Sequence, residues 1–279
     1  MSKLTKERMV DKLPKRPKDA NKGTFGKVLV IAGSEKYPGA AYLACAATYR
    51  VGAGLVTLAT LDTVKMIVSK KLPEVTFLSL AEVFSKLNEY DVLLIGPGLG
   101  QSEETGKLVG KLIKEKLPPA VIDGDGLNIL SKTDKWWESF NGELVLTPHP
   151  GEMSRLTGLN IEEIQSDREN IAKKFAAKWG SVVVLKGAHT VIASSGGEVA
   201  VSPFANPALA TAGTGDVLAG CIAGFLAQGL DTFDAACVAV YVHGLAGEMI
   251  SEKLGDAGVL ASELLPQLPL AIKRLHNLN

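Results

Sequence analysis

Asn206–Gly229, NPALATAGTGDVLAGCIAGFLAQG, sets Gly213, Thr214, Gly215 and Asp216 directly before a long run of small and apolar residues. The run has helical length and no internal proline, so a glycine-rich turn opens a buried helix with one carboxylate in its first turn. Glycine there lets the backbone come close to a ligand. The unpaired N–H groups of a helix start favour an anion, most often phosphate. A carboxylate beside such an anion is awkward unless it handles a proton. Taken alone, the turn reads equally well as an ordinary helix start, with Asp216 complementing the dipole by ~0.3–1 kcal/mol. The preceding Asn206-Pro207 and the low bulk of Ala208–Ala212 tilt the reading to close backbone approach, hence to function.

Outward from this stretch, short apolar runs alternate with helical patterns. Strands are predicted at Lys27–Ala32, Leu55–Thr60, Asp91–Ile95, Ala120–Asp123, Glu143–Thr147 and Ser181–Lys186, and a hairpin through Gly187-Ala188 into Thr190–Ala193. Helices are predicted at Ala40–Val51, Glu103–Lys116, Ile161–Lys178, Asp231–Leu254 and Ala261–Leu275. Alternating βα units with uniformly apolar strands imply an α/β fold with a mainly parallel sheet covered on both faces. Ligands then bind beyond the carboxyl ends of the strands. The loops richest in Gly, Pro and polar residues follow strands: Gly33-Ser34 with Tyr37–Ala41, Gly96–Gly100, Asp123–Asn128, Pro148–Glu152 and Lys186-Gly187.

The chain has 279 residues, 46% of them hydrophobic, enough for one large core. We expect a single domain over residues 1–279, with residues 1–26 a polar lead-in. Thirty basic residues balance thirty acidic ones, which argues against broad nucleic-acid binding. Cys45, Cys221 and Cys237 sit in apolar surroundings without a CxxC pair, as buried thiols of a cytoplasmic protein do. No secretory signal and no membrane-spanning run is expected.

Each remaining constellation has a plain reading beside the functional one. Gly96–Gly100, GPGLG, lacks the spacing of a dinucleotide fingerprint or a Walker A loop. It is either a strand-to-helix turn or a place where Gly98 packs on a ligand. Asp123 and Asp125 form a solvated turn or organise Mg²⁺ through water. His149, held between two prolines, points to hydrogen bonding with a polar substrate more than to base catalysis. Lys186–Thr190, KGAHT, is a hairpin turn or a source of a cation and backbone donors for phosphate. His243 reads as a satisfied core residue, and His276 as a tail residue without a role. Asp216 in this company reads as the group that takes a hydroxyl proton while N–H groups of the Gly213–Gly215 turn hold the transferring phosphoryl group.

With these motifs in order, the chain resembles the ADP-dependent NAD(P)H-hydrate dehydratases of the ribokinase-like superfamily. The matching segments include Lys22–Ala44, Ile95–Gly100, Val121–Asn128, LTPHPGEMSRL (Leu146–Leu156), Val182–Ala193, Asn206–Gly220 and Ala239–Glu248, nearly the whole chain from Lys22. The resemblance implies a ribokinase-like three-layer sandwich. It implies a lyase that uses ADP (or ATP) with Mg²⁺ to dehydrate (S)-NADHX and (S)-NADPHX, giving NADH or NADPH, AMP and phosphate. By motif, Asp216 is the base, and Gly213, Thr214 and Gly215 are the anion hole. Lys186, Gly187, Ala188, His189, Thr190 and Gly215 contact the adenine nucleotide. Ala41, Gly98, His149 and Asp216 contact the hydrated cofactor. Asp123 is a weak metal candidate, and Asp125 stands where many relatives carry a small residue.

The family suggests a homotetramer. Only about two dozen residues precede the first predicted strand, where many relatives carry an epimerase domain, so a separate epimerase is expected to supply the S form. The alternative is a ribokinase-like kinase of a small alcohol, such as hydroxymethylpyrimidine or hydroxyethylthiazole, which would stop at a stable phosphate ester. A nucleotide-sensing module on the same fold needs no base, and Asp216 argues against it.

Overall fold

The computed structural model describes residues 2–276. Ten strands form one sheet: β1 (Ser2–Lys3), β2 (Lys27–Ile31), β3 (Leu55–Ala59), β4 (Thr76–Leu78), β5 (Val92–Ile95), β6 (Ala120–Ile122), β7 (Leu144–Leu146), β8 (Val182–Leu185), β9 (Val191–Ala193) and β10 (Val199–Val201). Their order across the sheet is β1-β10-β9-β8-β7-β6-β5-β2-β3-β4. Pairing is parallel except where β9 meets β8 and β10. This is the expected three-layer α/β sandwich, with the expected hairpin at β8–β9.

The strands are apolar on both faces because helices cover both. Val28, Val30, Val92 and Leu94 face one helical layer. Leu29, Ile31, Leu93 and Ile95, one residue out of step, face the other. That is the period of two expected of a doubly covered sheet.

The chain runs outward from β2 through β3 to β4, then returns to lay β5 on the other side of β2. A topological switch point therefore lies between β2 and β5, where α/β sheets open a crevice. Gly33 after β2 and Gly96–Gly100 after β5 meet there, with the Gly33 N–H donating to the Pro97 carbonyl at 2.9 Å.

The helix Thr214–Ala227 lies on the helix Pro38–Arg50 with almost no side chain between them. A Cβ on Gly220 would stand 2.3 Å from the Ala44 carbonyl oxygen, and one on Gly224 would stand 2.4 Å from Val51 Cγ2. The small residues of the opening stretch are thus a packing device. They bring the start of one helix beside the start of the other.

Several expectations are corrected. Ile161–Lys178 is two helices, Ile161–Ser166 and Arg168–Trp179, because Asp167 takes a non-helical conformation (φ −145°, ψ 52°). The short strands β1, β4 and β10 escaped the sequence pattern. Ser2–Lys3 pairs with β10, so the N-terminal residues join the sheet edge. The helix Thr232–Leu254 is long and apolar enough to cross a membrane, contrary to the expectation that no run is. It is a core helix here, with 72% of its apolar window buried inside the protein. All three cysteines are free and buried.

Candidate active site

Gly213 caps the helix Thr214–Ala227 in the left-handed region at φ +95°, open to glycine but costly for other residues. A Cβ there would lie 2.6 Å from Leu43 Cδ1. The turn is held from beneath. Thr214 Oγ1 donates to the carbonyls of Leu209 (2.7 Å) and Thr211 (2.9 Å). His243 Nε2 lies 3.0 Å from the Thr214 carbonyl, which makes it the donor. Burial lowers the His243 pKa to about 4, so the ring is neutral.

Beyond the turn, buried charges are strung along three neighbouring strand ends. Asp123, after β6, is 2% exposed and accepts from Thr147 Oγ1 at 2.6 Å. Lys186, after β8, reaches Asp123 Oδ1 at 2.5 Å and Glu152 Oε2 at 3.6 Å. Its Nζ is also 3.4 Å from where a Cβ of Gly215 would stand, so the ammonium lies against the helix start. Burial pulls the Lys186 pKa down, but Asp123 and Glu152 outweigh it and the net shift is upward. Lys186 is therefore a fixed cation.

Glu152 is 5% exposed, and its carboxyl accepts from the His149 N–H at 2.7 Å. Burial raises its pKa, with Lys186 opposing and Asp123 reinforcing. Asp216 lies in the same field. Its pKa is raised to about 7 by burial first and then by Asp123, against the pull of Lys186. A carboxylate that titrates near neutrality beside a Gly-rich helix start is matched to general-base work.

Two cavities open at the carboxyl ends of the strands. One, of ≈380 Å³, is lined by Lys186, Gly187, Ala188, Thr190, Thr214 and Gly215 on its polar side, and by Phe204, Leu209, Leu218 and Val240 among its apolar wall. Charge and backbone donors at one end and an apolar slot at the other suit a nucleotide. The second, of ≈900 Å³, opens at the β2/β5 switch point between Gly33–Tyr37 and Leu99–Thr105.

Of the residues singled out from sequence, Lys186, Gly187, Ala188, Thr190, Thr214 and Gly215 line the smaller cavity, while Ala41, Gly98, His149, His189, Gly213 and Asp216 are among the lining residues of neither. His189 is held at φ +52°, with its Nδ1 3.2 Å from the Ser202 carbonyl oxygen. Gly98 sits at φ +57°, and a Cβ on it would meet Ala40 Cβ at 2.6 Å and Tyr37 Cβ at 2.7 Å. Gly98 thus lets the β5 loop press on the start of the helix Pro38–Arg50. Ala41 is fully buried with its Cβ facing Gly33, so it backs that loop from within.

His149 caps the helix Pro150–Thr157. Its Nδ1 accepts from the N–H groups of Gly151 (3.0 Å) and Glu152 (3.3 Å). That leaves Nε2 protonated on a half-exposed ring, 3.5 Å from Glu152 Oε1. Burial, then Lys186 and Arg155, lowers the His149 pKa.

Asp123 and Asp125 do not act as a pair. Asp125 accepts from the Gly100 N–H (2.8 Å) and Gln101 Nε2 (3.0 Å) and braces the β5 loop. Asp123 is spent on Lys186 and Thr147. No cluster of three metal-ligating side chains exists among the described residues.

Glu152 and His243 were not on the sequence-derived list. From sequence, Glu152 only closes the Pro148–Glu152 loop; His243 is indeed buried and satisfied. Its partner, however, is the anion turn, and its ring lines the smaller cavity. Exposed His276 ends the last described helix.

A mainly parallel sheet with a glycine-rich turn and an aspartate at the start of a buried helix defines a ribokinase-like protein. The family model for NAD(P)H-hydrate dehydratase matches residues 28–270. The chain belongs to the NAD(P)H-hydrate dehydratase family. It is similar to a crystal structure of ADP/ATP-dependent NAD(P)H-hydrate dehydratase from Bacillus subtilis, co-crystallised with ATP and Mg²⁺ (36% identity, TM-score 0.89, 98% of each chain). It is also 40% identical to an ADP-dependent (S)-NAD(P)H-hydrate dehydratase from Neisseria meningitidis, over 90% of this chain and 86% of that one. A bifunctional NAD(P)H-hydrate repair enzyme from Moorella thermoacetica is 42% identical over 94% of this chain and 52% of its own length. The chain spans about half the length of the first curated relatives it matches.

The packing of the Gly98 loop offers a direct test. Gly98→Ala should separate the β5 loop from Tyr37 and Ala40 through overpacking of ~1–3 kcal/mol. Its expected effect is a melting temperature lowered by roughly 2–4 °C for each kcal/mol lost, read by thermal melting.

Proposed function

We propose that the protein dehydrates (S)-NADHX and (S)-NADPHX at the expense of ADP, returning NADH or NADPH with AMP and phosphate. The observation that carries this is Asp216, its pKa raised to about 7, in the first turn of the helix whose Thr214 and Gly215 line the smaller cavity and against whose start Lys186 lies. The smaller cavity takes the nucleotide. Its diphosphate lies against Lys186 and the N–H groups of the turn. The larger cavity takes the hydrated nicotinamide cofactor, with Tyr37 and the Leu99-Gly100 end of the Gly98 loop along its wall. Mg²⁺ arrives with the nucleotide, its phosphates and water supplying the donors. That fits a site in which Asp123 already serves Lys186 and in which Mg²⁺ asks for no all-protein cage.

Asp216 takes the proton of the ring hydroxyl as its oxygen attacks the terminal phosphorus of ADP, and AMP leaves. Lys186 and the anion turn hold the charge that spreads over the transferring phosphoryl oxygens. The carbon–oxygen bond of the new phosphate ester then breaks. A proton leaves the adjacent ring carbon and the double bond returns. Elimination, not phosphorylation, is the net result.

The base must be ionised, so the sign of the pH dependence follows. Below the Asp216 pKa of about 7 the base is protonated and kcat/KM should fall about tenfold per pH unit; above it kcat/KM should level off. A pH profile of kcat/KM checks this, and a flat profile from pH 5 to 8 would count against Asp216 as the base.

The deciding experiment incubates the protein with acid-hydrated NADH and ADP, then ATP, while following near-ultraviolet absorbance. Recovery of the dihydronicotinamide band with release of AMP supports the reading. No recovery, with phosphorylation of a pyrimidine or thiazole alcohol instead, would replace it with the kinase. The same reading includes one domain over the whole chain, a homotetramer, a cytoplasmic location and a separate epimerase supplying the S form. Relatives that carry a bifunctional name support the last. Sedimentation at four chain masses tests the assembly.

A further inference from the structure

We infer that Arg168 is a positioning residue for the nucleotide, acting through the backbone of the Lys186-Gly187 turn. This rests on the reading of the smaller cavity as the nucleotide site. Arg168 is the first residue of the helix Arg168–Trp179. Its guanidinium runs under the end of β8. Nη2 donates to the carbonyls of Leu185 (2.8 Å) and Lys186 (3.3 Å), and Nη1 to Gln165 Oε1 (2.8 Å).

Gly187 fits over the guanidinium because it lacks a side chain. A Cβ there would lie 3.1 Å from both Nη1 and Nη2, and the residue adopts φ +148°. One guanidinium nitrogen, Nη2, therefore meets two successive carbonyls, while Nη1 of the same plane is anchored on Gln165. The two peptide groups aim Lys186 back to Asp123 and the Gly215 helix start, and turn Gly187 and Ala188 into the cavity wall.

The arrangement has a cost that packing does not require. The Arg168 Nε–H is buried and has no partner among the described residues. Burial also lowers the pKa of the guanidinium. An unpaired buried donor is unfavourable, and an aliphatic side chain would avoid it. Lysine can reach the two carbonyls with one nitrogen, but it has no second nitrogen in a fixed plane to hold Gln165 Oε1 at the same time. A group kept under these terms is explained by what it holds, which is the turn that carries the one cation of the charged line.

The test compares ADP binding by calorimetry, and kcat and KM for ADP, in the wild type, Arg168→Met, Arg168→Lys and Gly187→Ala. For Arg168→Met we expect the ADP dissociation constant and KM to rise at least tenfold, with kcat at saturation changed less than threefold. Arg168→Lys should recover only part of the affinity. Arg168→Met combined with Gly187→Ala should lose less than the sum of the single changes, because both act on one turn. A melting temperature lowered by Arg168→Met with ADP affinity unchanged would reduce the residue to a structural brace and overturn the inference. Wild-type protein that binds no ADP would remove the nucleotide reading itself, and the inference with it. Wild-type binding with additive single effects would overturn the inference alone.

Discussion

Asp216→Asn is expected to lower turnover by about 10²–10⁴-fold while leaving ADP binding intact. Asparagine keeps the shape of the first helical turn and accepts the same contacts, but it has no basicity. The loss should therefore appear in kcat, with little change in the dissociation constant of the nucleotide. Stability gives the change a second signature. The folded pKa of Asp216, about 7, lies above its ordinary value of 3.8, so the folded state favours the protonated form. The stability associated with that shift is fully present below the ordinary value and is lost as pH rises through 7. Asn carries no such penalty. The variant should melt at a higher temperature than the wild type at pH 8 and at the same temperature at pH 3. Near-normal activity, or a wild-type melting curve at pH 8, would show that Asp216 is not the raised-pKa base.

Lys186→Met is expected to be the most damaging single change in the site. Lys186 stands between Asp123 and Glu152, both almost fully buried. Methionine fills much of the volume but leaves two buried acids facing each other. Breaking a buried pair by removing one partner costs about 3–5 kcal/mol. The catalytic loss comes on top, at about 10²–10³-fold for one donor to a developing charge. Thermal melting and phosphoryl-transfer kinetics separate the two. A variant as stable as the wild type would mean that Asp123 and Glu152 are already protonated or solvated and that the charged line is not as drawn. Lys186→Arg keeps the charge but not the compact shape, and should restore stability more than rate.

The fold was largely legible because its central strands are continuous apolar runs. KVLVI at Lys27–Ile31 or VVVL at Val182–Leu185 has no other economical reading when helical patterns lie between the runs. The rest was hidden for physical reasons. β1, β4 and β10 are two or three residues long and sit toward the sheet edges, where pairing with a neighbour, not composition, defines a strand. The break at Asp167 is a matter of one backbone conformation inside an otherwise helical pattern. It also creates the helix start from which Arg168 reaches β8.

In the site, the residues that announce themselves are those whose chemistry is local: the glycine turn with Asp216, and Lys186 with its following glycine. Glu152 and His243 act across the fold, on Lys186 and on the Thr214 carbonyl. Each looks ordinary among its sequence neighbours. His149 was singled out for its flanking prolines, and much of that rigidity serves an N-cap. The Asp123–Asp125 spacing suggested a shared ligand, but the intervening turn sends the two carboxylates to different partners.

The contact of the helices Thr214–Ala227 and Pro38–Arg50 through Gly220 and Gly224 has a consequence for how this site can change. One helix begins at the base and the other at the Tyr37–Ala41 loop. With main chain resting on main chain, the gap between those two starting points is fixed by atoms that no substitution can shrink. Growth at either glycine pushes both ends of the reaction apart together. New substrate tolerance would have to be sought in the Gly96–Gly100 and Lys186–Thr190 loops, which can be rebuilt one at a time. The helix pair is the part of the molecule whose spacing an exchange at either glycine can only widen.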